Sequence, residues 1–306
     1  MRTLQEIDKD YRIIEAMSSS KLKDLITSPA LFYKRHITKE LPFKETYAMD
    51  FGTKVHAALL EPELFVSSYK TFGTYLSLPN EDVARVKGRC RWEEVQDAPI
   101  DGNTYFFEPK SDEAKKNMID AFTEYYGQEI ITPYEMKQID FLLDELKVNP
   151  QTLALLNNKQ VEAEKVLMTV IDDIELKSKL DAISDGQIVF DYKTCEHAIN
   201  DELIAWTIKK YSYDLQAYFY KFMAERNGYD VKGFSWIFQN KYSGQCAVVP
   251  CPDYVLERGA AKMKLGLEIY TRCMDTGVWA DYLSPEGNTN YDAPMDISRA
   301  VEKVYS

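Results

Sequence analysis

The stretch from Glu164 to Tyr220 restricts what this chain can fold into more than any other part of it. Three apolar runs follow one another, over 164–171, 174–182 and 188–194, and a helical pattern carries Gln216 and Tyr220. Residues two apart on a strand share a face. Val189, Asp191 and Lys193 therefore face one way, and Ile188, Phe190 and Tyr192 the other. On the preceding run Ile174, Leu176, Leu180 and Ala182 form an apolar face, with Lys177, Lys179 and Asp181 opposite. Each strand thus reads as one core face and one polar face, with the acids on the polar ones.

Whether Asp181 and Asp191 meet depends on the loop between their strands. A two-residue Asp-Gly loop would pair Ser184 with Gln187, set Asp181 opposite Phe190 and leave Asp191 on the wrong face. A three-residue loop ending in a left-handed glycine pairs Ile183 with Gln187. Asp181 is then opposite Val189 and diagonal to Asp191, about 7–8 Å away, a gap that two carboxylates can close around a metal. The three-residue loop is the expectation. On the following helix Gln216 and Tyr220 are four apart and share a side. An acid, an Asp-x-Lys and a Gln-x-x-x-Tyr in this order suit metal-dependent phosphodiester chemistry.

The remaining chain supplies context. At 306 residues, 45% hydrophobic and 28% charged, it has the composition of an ordinary soluble protein with an ample core. No apolar run is long enough to span a membrane, and Met-Arg-Thr-Leu-Gln-Glu-Ile-Asp has no signal-peptide core, so a cytoplasmic protein is expected. Five cysteines without a Cys-x-x-Cys read as free thiols in a reducing compartment, not as disulfides or a zinc site. A net charge of −12 argues against adhesion to nucleic acid by the whole surface, but not against a local basic track.

Towards the N-terminus, Ser18 and then Ser28-Pro29 read as two helix starts. The second helix carries Lys34 and Arg35, which could hold a phosphate or simply form a solvated face. Phe51, Val55, Ala58 and Leu59 follow helical spacing up to Pro62. Gly52 on that helix would allow close backbone approach, and His56, one of only three histidines, lies four residues on. From Ser67 to Lys110 the pattern reads as a loop-rich insertion, with Arg85, Lys87, Arg89 and Arg91 as the densest basic cluster. A helix is expected from Ser111 to about Tyr126, and a capping box at Thr132–Glu135 opens another through Leu146. After the three strands come helices over 198–209 and 213–226, strands over 231–239 and 245–249, a long helix over 253–274 and an irregular tail.

Together these residues resemble the PD-(D/E)XK nuclease superfamily in its RecB-like branch, and most nearly the RecE-type exonucleases (exonuclease VIII). Ser18-x-Ser20-x-Leu22-x-x-Leu25-x-x-Ser28-Pro29 looks like that family's opening, and the segment from Gly52 through His56 to Glu61 like its histidine motif. Lys179-Leu-Asp181, Asp191-Tyr-Lys193-Thr and Gln216-x-x-x-Tyr220 follow in family order, so the resemblance covers about residues 18 to 282. Two departures stand out. Lys-Ser-Lys-Leu precedes Asp181 where a Gly-rich, Arg-containing form is commoner, and only Pro294-Met295 answers to the usual Pro-x-Trp.

The resemblance implies an α/β (α+β) fold with a central mixed sheet flanked by helices. The arrangement expected is a single nuclease domain over 1–306: a helical part and insertion at 1–158, the catalytic sheet at 159–282 and a tail at 283–306. It further implies a Mg²⁺- or Mn²⁺-dependent, phage- or prophage-encoded exodeoxyribonuclease degrading linear duplex DNA 5′ to 3′. A ring-shaped homo-oligomer (trimer or tetramer) and a single-strand-annealing recombinase partner are expected with it. Asp181, Asp191, His56 and the Tyr192 carbonyl would hold the metal, Lys193 would orient or deprotonate the attacking water, Gln216 and Tyr220 would assist, and Glu164 would support the site. Lys34, Arg35, Arg85, Lys87, Arg89 and Arg91 are the candidate DNA contacts. The alternatives are a non-catalytic DNA-binding module on the same fold, or a CRISPR-adaptation nuclease. The latter needs a four-cysteine iron–sulfur site, which Cys246 and Cys251 do not supply.

Overall fold

Ser18 and Ser28 act as the sequence suggests. The Ser18 side chain accepts from Lys21 N and starts α1 (Ser19–Thr27), and Ser28 accepts from Leu31 N and starts α2 (Pro29–Phe32). A π-type turn, Tyr33–Ile37, continues α2. The computed structural model describes residues 10–43, 46–71, 76–77, 90–94, 104–109, 123, 128–156, 161–185 and 187–280. The chain falls into two compact units, residues 1–9 with 53–144, and residues 10–52 with 145–306. Helix α3 (Tyr47–Leu60) runs from the second into the first, with Phe51 and Val55 buried as their spacing predicts.

In the first unit α4 (Pro62–Ser68) leads into β1 (Tyr69–Thr71), which pairs in parallel with β5 (Glu129–Ile131). The stretch read as loop-rich holds a small antiparallel sheet instead. It consists of β2 (Leu76–Ser77), β3 (Cys90–Glu94) and β4 (Thr104–Pro109), in the order β2-β4-β3. Its strands are too short for an alternation signal, although Thr-Tyr-Phe-Phe in β4 is strand-forming in composition. Of the helix expected over 111–126 only residue 123 is described, and it is helical; the rest lies outside the described residues. Helix α5 (Pro133–Val148) starts at the expected capping box, where Thr132 N and Thr132 Oγ1 donate to Glu135 Oε2 and Glu135 N donates back to Thr132 Oγ1.

The second unit is built on a five-stranded sheet in the order β10-β9-β8-β7-β6. After α6 (Pro150–Leu156), β6 (Val161–Ile171), β7 (Ile174–Ser184) and β8 (Ile188–Cys195) form an antiparallel meander. Helices α7 (Asp201–Lys210) and α8 (Tyr213–Arg226) then cross over to β9 (Gly233–Asn240), which runs parallel to β8. A parallel pair requires such a crossover. Strand β10 (Cys246–Pro250) closes the sheet, and α9 (Asp253–Thr276) ends at left-handed Gly277. Leu215, Ala217 and Phe219 of α8 pack with Val189, Phe234 and Trp236 of the sheet and with Leu22 and Leu25 of α1 in one core. Among the described residues no helix is long and apolar enough to cross a membrane.

The polar faces expected on β7 and β8 are covered. Lys177 is 4% exposed and Asp191 is fully buried. The reason is an extra layer that periodicity cannot reveal. Met17 bridges to Leu176 along the edge of β7 that β8 leaves open, and Lys177 Nζ donates to the carbonyls of Tyr11 and Ile14 at 2.7 and 2.8 Å. Burial lowers the Lys177 pKa to about 8, with Lys21 adding to the effect.

Candidate active site

The loop between β7 and β8 has three residues, but not the three expected. Ser184 pairs with Ile188 and Ile183 with Val189, so the loop is Asp185 to Gln187. Gln187 N donates to Ser184 O at 3.0 Å, and Asp185 takes the left-handed conformation (φ 52°) that had been expected of a glycine. Aspartate tolerates that region because its short side chain can bond the local backbone. The shift moves the register by two. Asp181 therefore falls one step beyond the Ala182–Phe190 pair, directly across from Asp191 instead of diagonal to it, and on the same face. The ladder between β7 and β8 covers only three pairs, and just past it Tyr192 N donates to Asp181 Oδ2 at 3.0 Å.

Asp191 is the centre of the arrangement. Its Oδ1 accepts from Lys193 Nζ at 2.7 Å and from Gln216 Nε2 at 3.0 Å. The other oxygen, Oδ2, is also 2.7 Å from the ammonium, but outside hydrogen-bonding geometry. That contact is an ion pair, and it leaves Oδ2 with unused lone pairs. Gln216 Nε2 also reaches the Tyr220 hydroxyl at 3.1 Å. The structure thus gathers Asp191, Lys193, Gln216 and Tyr220 into one bonded cluster, with Asp181 across the strand.

The charges in this cluster are interdependent. Burial, and next the neighbouring Asp181 carboxylate, push Asp191 up to about 8 against the pull of Lys193. Burial opposes the Lys193 charge, but Asp191 and Asp181 more than offset it and hold the ammonium above its usual range. Tyr220 is likewise held well above the usual phenol range by burial and then by the two carboxylates. At neutral pH the cluster therefore carries a charged lysine, a neutral phenol and a proton on the carboxylate pair.

Other expected residues stand differently. Tyr192 turns its side chain to the opposite sheet face, where its hydroxyl donates to Gln239 Oε1 at 2.5 Å. Glu164 lies where β6 faces Asp181, between the Ala163–Ala182 and Lys165–Leu180 pairs. It adopts a left-handed conformation (φ 52°) inside the strand and pairs with Lys179 at 2.5 Å. Such a conformation costs a non-glycine residue about 1–3 kcal/mol and tends to occur at functional sites. His56 sits on α3 one turn beyond Gly52, in the first unit. Gly52 serves no close approach, because a Cβ added there would meet only Thr194 Oγ1 at an ordinary 3.7 Å. Lys34 is exposed, whereas Arg35 and His36 both hold Asp24 at 2.8 Å. Arg91 lies on β3 opposite Glu108, and Arg85, Lys87 and Arg89 are outside the described residues.

Sequence reading missed the clamp that fixes α8. Asp214, fully buried at its first turn, accepts from Lys262 at 2.8 Å and pairs with Arg258, both on α9. Only the four-residue spacing of Arg258 and Lys262 hinted at a shared partner.

The two carboxylates fit a hard divalent cation. Asp191 is buried beside a like charge with an oxygen to spare, a situation that a cation relieves. Among the described residues no group of three or more His, Cys, Asp or Glu side chains forms a ready-made cage. Two carboxylates nevertheless suit Mg²⁺, which commonly takes one or two from the protein and the rest of its shell from water and substrate phosphate.

Comparison with known proteins bears on the family and the fold. No curated protein matches the chain. Among solved structures, a presumptive exonuclease from Eubacterium rectale is similar at 14% identity and a TM-score of 0.59, over 93% of this chain and 91% of that one. A second, the SSO0001 protein, is 14% identical over 43% of this chain and 68% of that one, with a TM-score of 0.24, too low to bear on the fold. The family model of the PDDEXK-like domain of unknown function (DUF3799) matches residues 18–291. With that match over most of its length, the chain belongs to this PDDEXK-like family and has the PD-(D/E)XK nuclease fold.

Proposed function

We propose that this protein is a metal-dependent exodeoxyribonuclease that degrades linear double-stranded DNA from its ends, 5′ to 3′, exposing single strands for recombination. The observation that carries the reading is the fully buried Asp191, set between Asp181 across the strand and the Lys193 ammonium at 2.7 Å. Asp181 and Asp191 would hold Mg²⁺ or Mn²⁺, with His56 and the Tyr192 carbonyl proposed to complete the protein's share of the ligands. A divalent ion held there supplies an activated water and neutralises charge on the phosphate. Lys193, kept protonated by its neighbours, is a donor. Once a cation neutralises those carboxylates, Lys193 would orient or deprotonate the attacking water and share the phosphoryl charge. Gln216, bonded to both Asp191 and the Tyr220 hydroxyl, fixes the carboxylate plane and keeps Tyr220 aimed at the site.

Of the two early basic residues Lys34 is the stronger DNA contact, since Arg35 is already engaged by Asp24. Arg85, Lys87, Arg89 and Arg91 are proposed to extend the grip on the phosphate backbone. A ring-shaped oligomer in the cytoplasm and an annealing recombinase partner belong to the same reading. The direct test is digestion of linear duplex labelled at the 5′ or 3′ end, with a covalently closed circle as control. Mg²⁺-dependent loss of the 5′ label as mononucleotide, with the circle intact, is expected. Cleavage of the circle, or no cleavage with Mg²⁺ or Mn²⁺, would overturn the reading.

A further inference from the structure

We propose that the surface running outward from Lys193 along the end of α7 takes an unpaired nucleic-acid strand. Rings and ammonium groups alternate along it. Lys193 Nζ lies 5.1 Å from the centre of the Tyr213 ring, and Tyr213 stacks on Tyr211 at 5.6 Å with 28° between the planes. Lys210 Nζ lies 5.1 Å from the Tyr211 ring and 4.3 Å from the Trp206 ring. Lys23, from α1, comes within 5.7 Å of Tyr211. The series thus connects the candidate active site to open solvent through one continuous set of contacts.

Its outer rings are open to solvent. Trp206 is 49% exposed and Tyr211 40% exposed. Isolated apolar side chains on a surface need no explanation, but these two are joined through one lysine and lead to the active-site lysine. Ser212, between the two tyrosines, is held left-handed (φ 51°), a strained conformation for serine that accompanies their stacking. Lysines gather around the rings as well. Burial lowers the Lys23 pKa, Asp24 opposes this, and Lys262 and Lys193 lower it further. Of the acids around the series, Asp191 is paired with Lys193 and Asp24 holds Arg35 and His36, while Glu202 lies one turn before Trp206 on the same face of α7.

Exposed rings flanked by ammonium groups bind single strands by stacking on bases and pairing with phosphates. A duplex keeps its base faces inside its own stack and cannot use such rings. A strand seated here would have its phosphates led towards Lys193. That last step rests on the nuclease reading, whereas the stacking does not.

The test is fluorescence anisotropy with the full chain in Ca²⁺, using labelled oligo(dT), oligo(U) and a DNA duplex of equal length. Wild type is compared with Trp206→Ala, Tyr211→Ala and Trp206→Phe, each checked for an unchanged melting temperature. Each alanine variant is expected to raise the single-strand dissociation constant about fivefold or more, with Trp206→Phe close to wild type and duplex binding little changed. Preference for oligo(dT) or oligo(U) shows which of the two probes fits better, and either preference upholds the proposal. Unchanged single-strand affinity in both alanine variants, or equal losses on duplex and single strand, would overturn it. If wild type cleaves DNA in Mg²⁺ while the rings prove irrelevant, only this proposal fails. If ring-dependent binding occurs without cleavage, the surface stands and the nuclease reading falls.

Discussion

At the residue scale, Asp191 carries the most information. Its parity with Lys193 was legible from alternation alone, whereas the shared face with Asp181 needed the three-residue loop as well. Its full burial was not legible, because the side chain set against it from outside the strand, Gln216, comes from α8, 25 residues further along the chain. Burial has a measurable consequence. In the folded, metal-free protein the Asp191 pKa stands at about 8, against an ordinary carboxylate value of 3.8. Between these values the folded state holds a proton that the unfolded chain releases, so stability falls as pH rises through that window and levels off above about 8. Asp191→Asn removes this dependence. In EDTA its melting temperature is therefore expected to exceed that of wild type by a margin that grows from pH 5 to pH 8 and then stays constant. A constant margin across that range would show that Asp191 titrates normally.

At the element scale, most strands and helices follow their sequence signals closely, and α8 spans Tyr213–Arg226 as its pattern predicts. The failures have definite causes. The β7–β8 turn was assigned by placing its left-handed residue at Gly186, but Asp185 takes that conformation and moves the loop by one position. Strand β6 breaks its own ladder at left-handed Glu164, which no propensity scale anticipates in a strand. The packing of α9 was also hidden, because a helical glycine looks unfavourable until its neighbour is seen. A Cβ at Gly259 would lie 2.1 Å from the Asp214 carbonyl oxygen and 2.7 Å from Tyr218 Cβ. Gly259→Ala must therefore push α9 away from α8 and loosen the Asp214 clamp. A loss of about 1–3 kcal/mol in chemical denaturation is expected, despite alanine's better helix propensity. A neutral or stabilising effect would mean that the helices do not meet this closely.

At the scale of the whole molecule, an acidic chain with a net charge of −12 is proposed to act on a polyanion, so its cations have to be concentrated where the substrate passes. The fold class was legible because five motifs occurred in one order. The ring surface of α7 was not, because exposed aromatics carry no periodic signal. The proposed nuclease activity depends on Asp181 and Asp191 taking up a divalent cation in exchange for the proton on the pair. Calorimetric titration with Mn²⁺ at pH 7, in two buffers of different ionisation enthalpy, measures affinity and proton release together. Wild type is expected to bind with release of about one proton, Lys193→Ala to retain binding, and Asp191→Ala to lose both affinity and proton release. Binding of equal strength in wild type and Asp191→Ala would contradict the account.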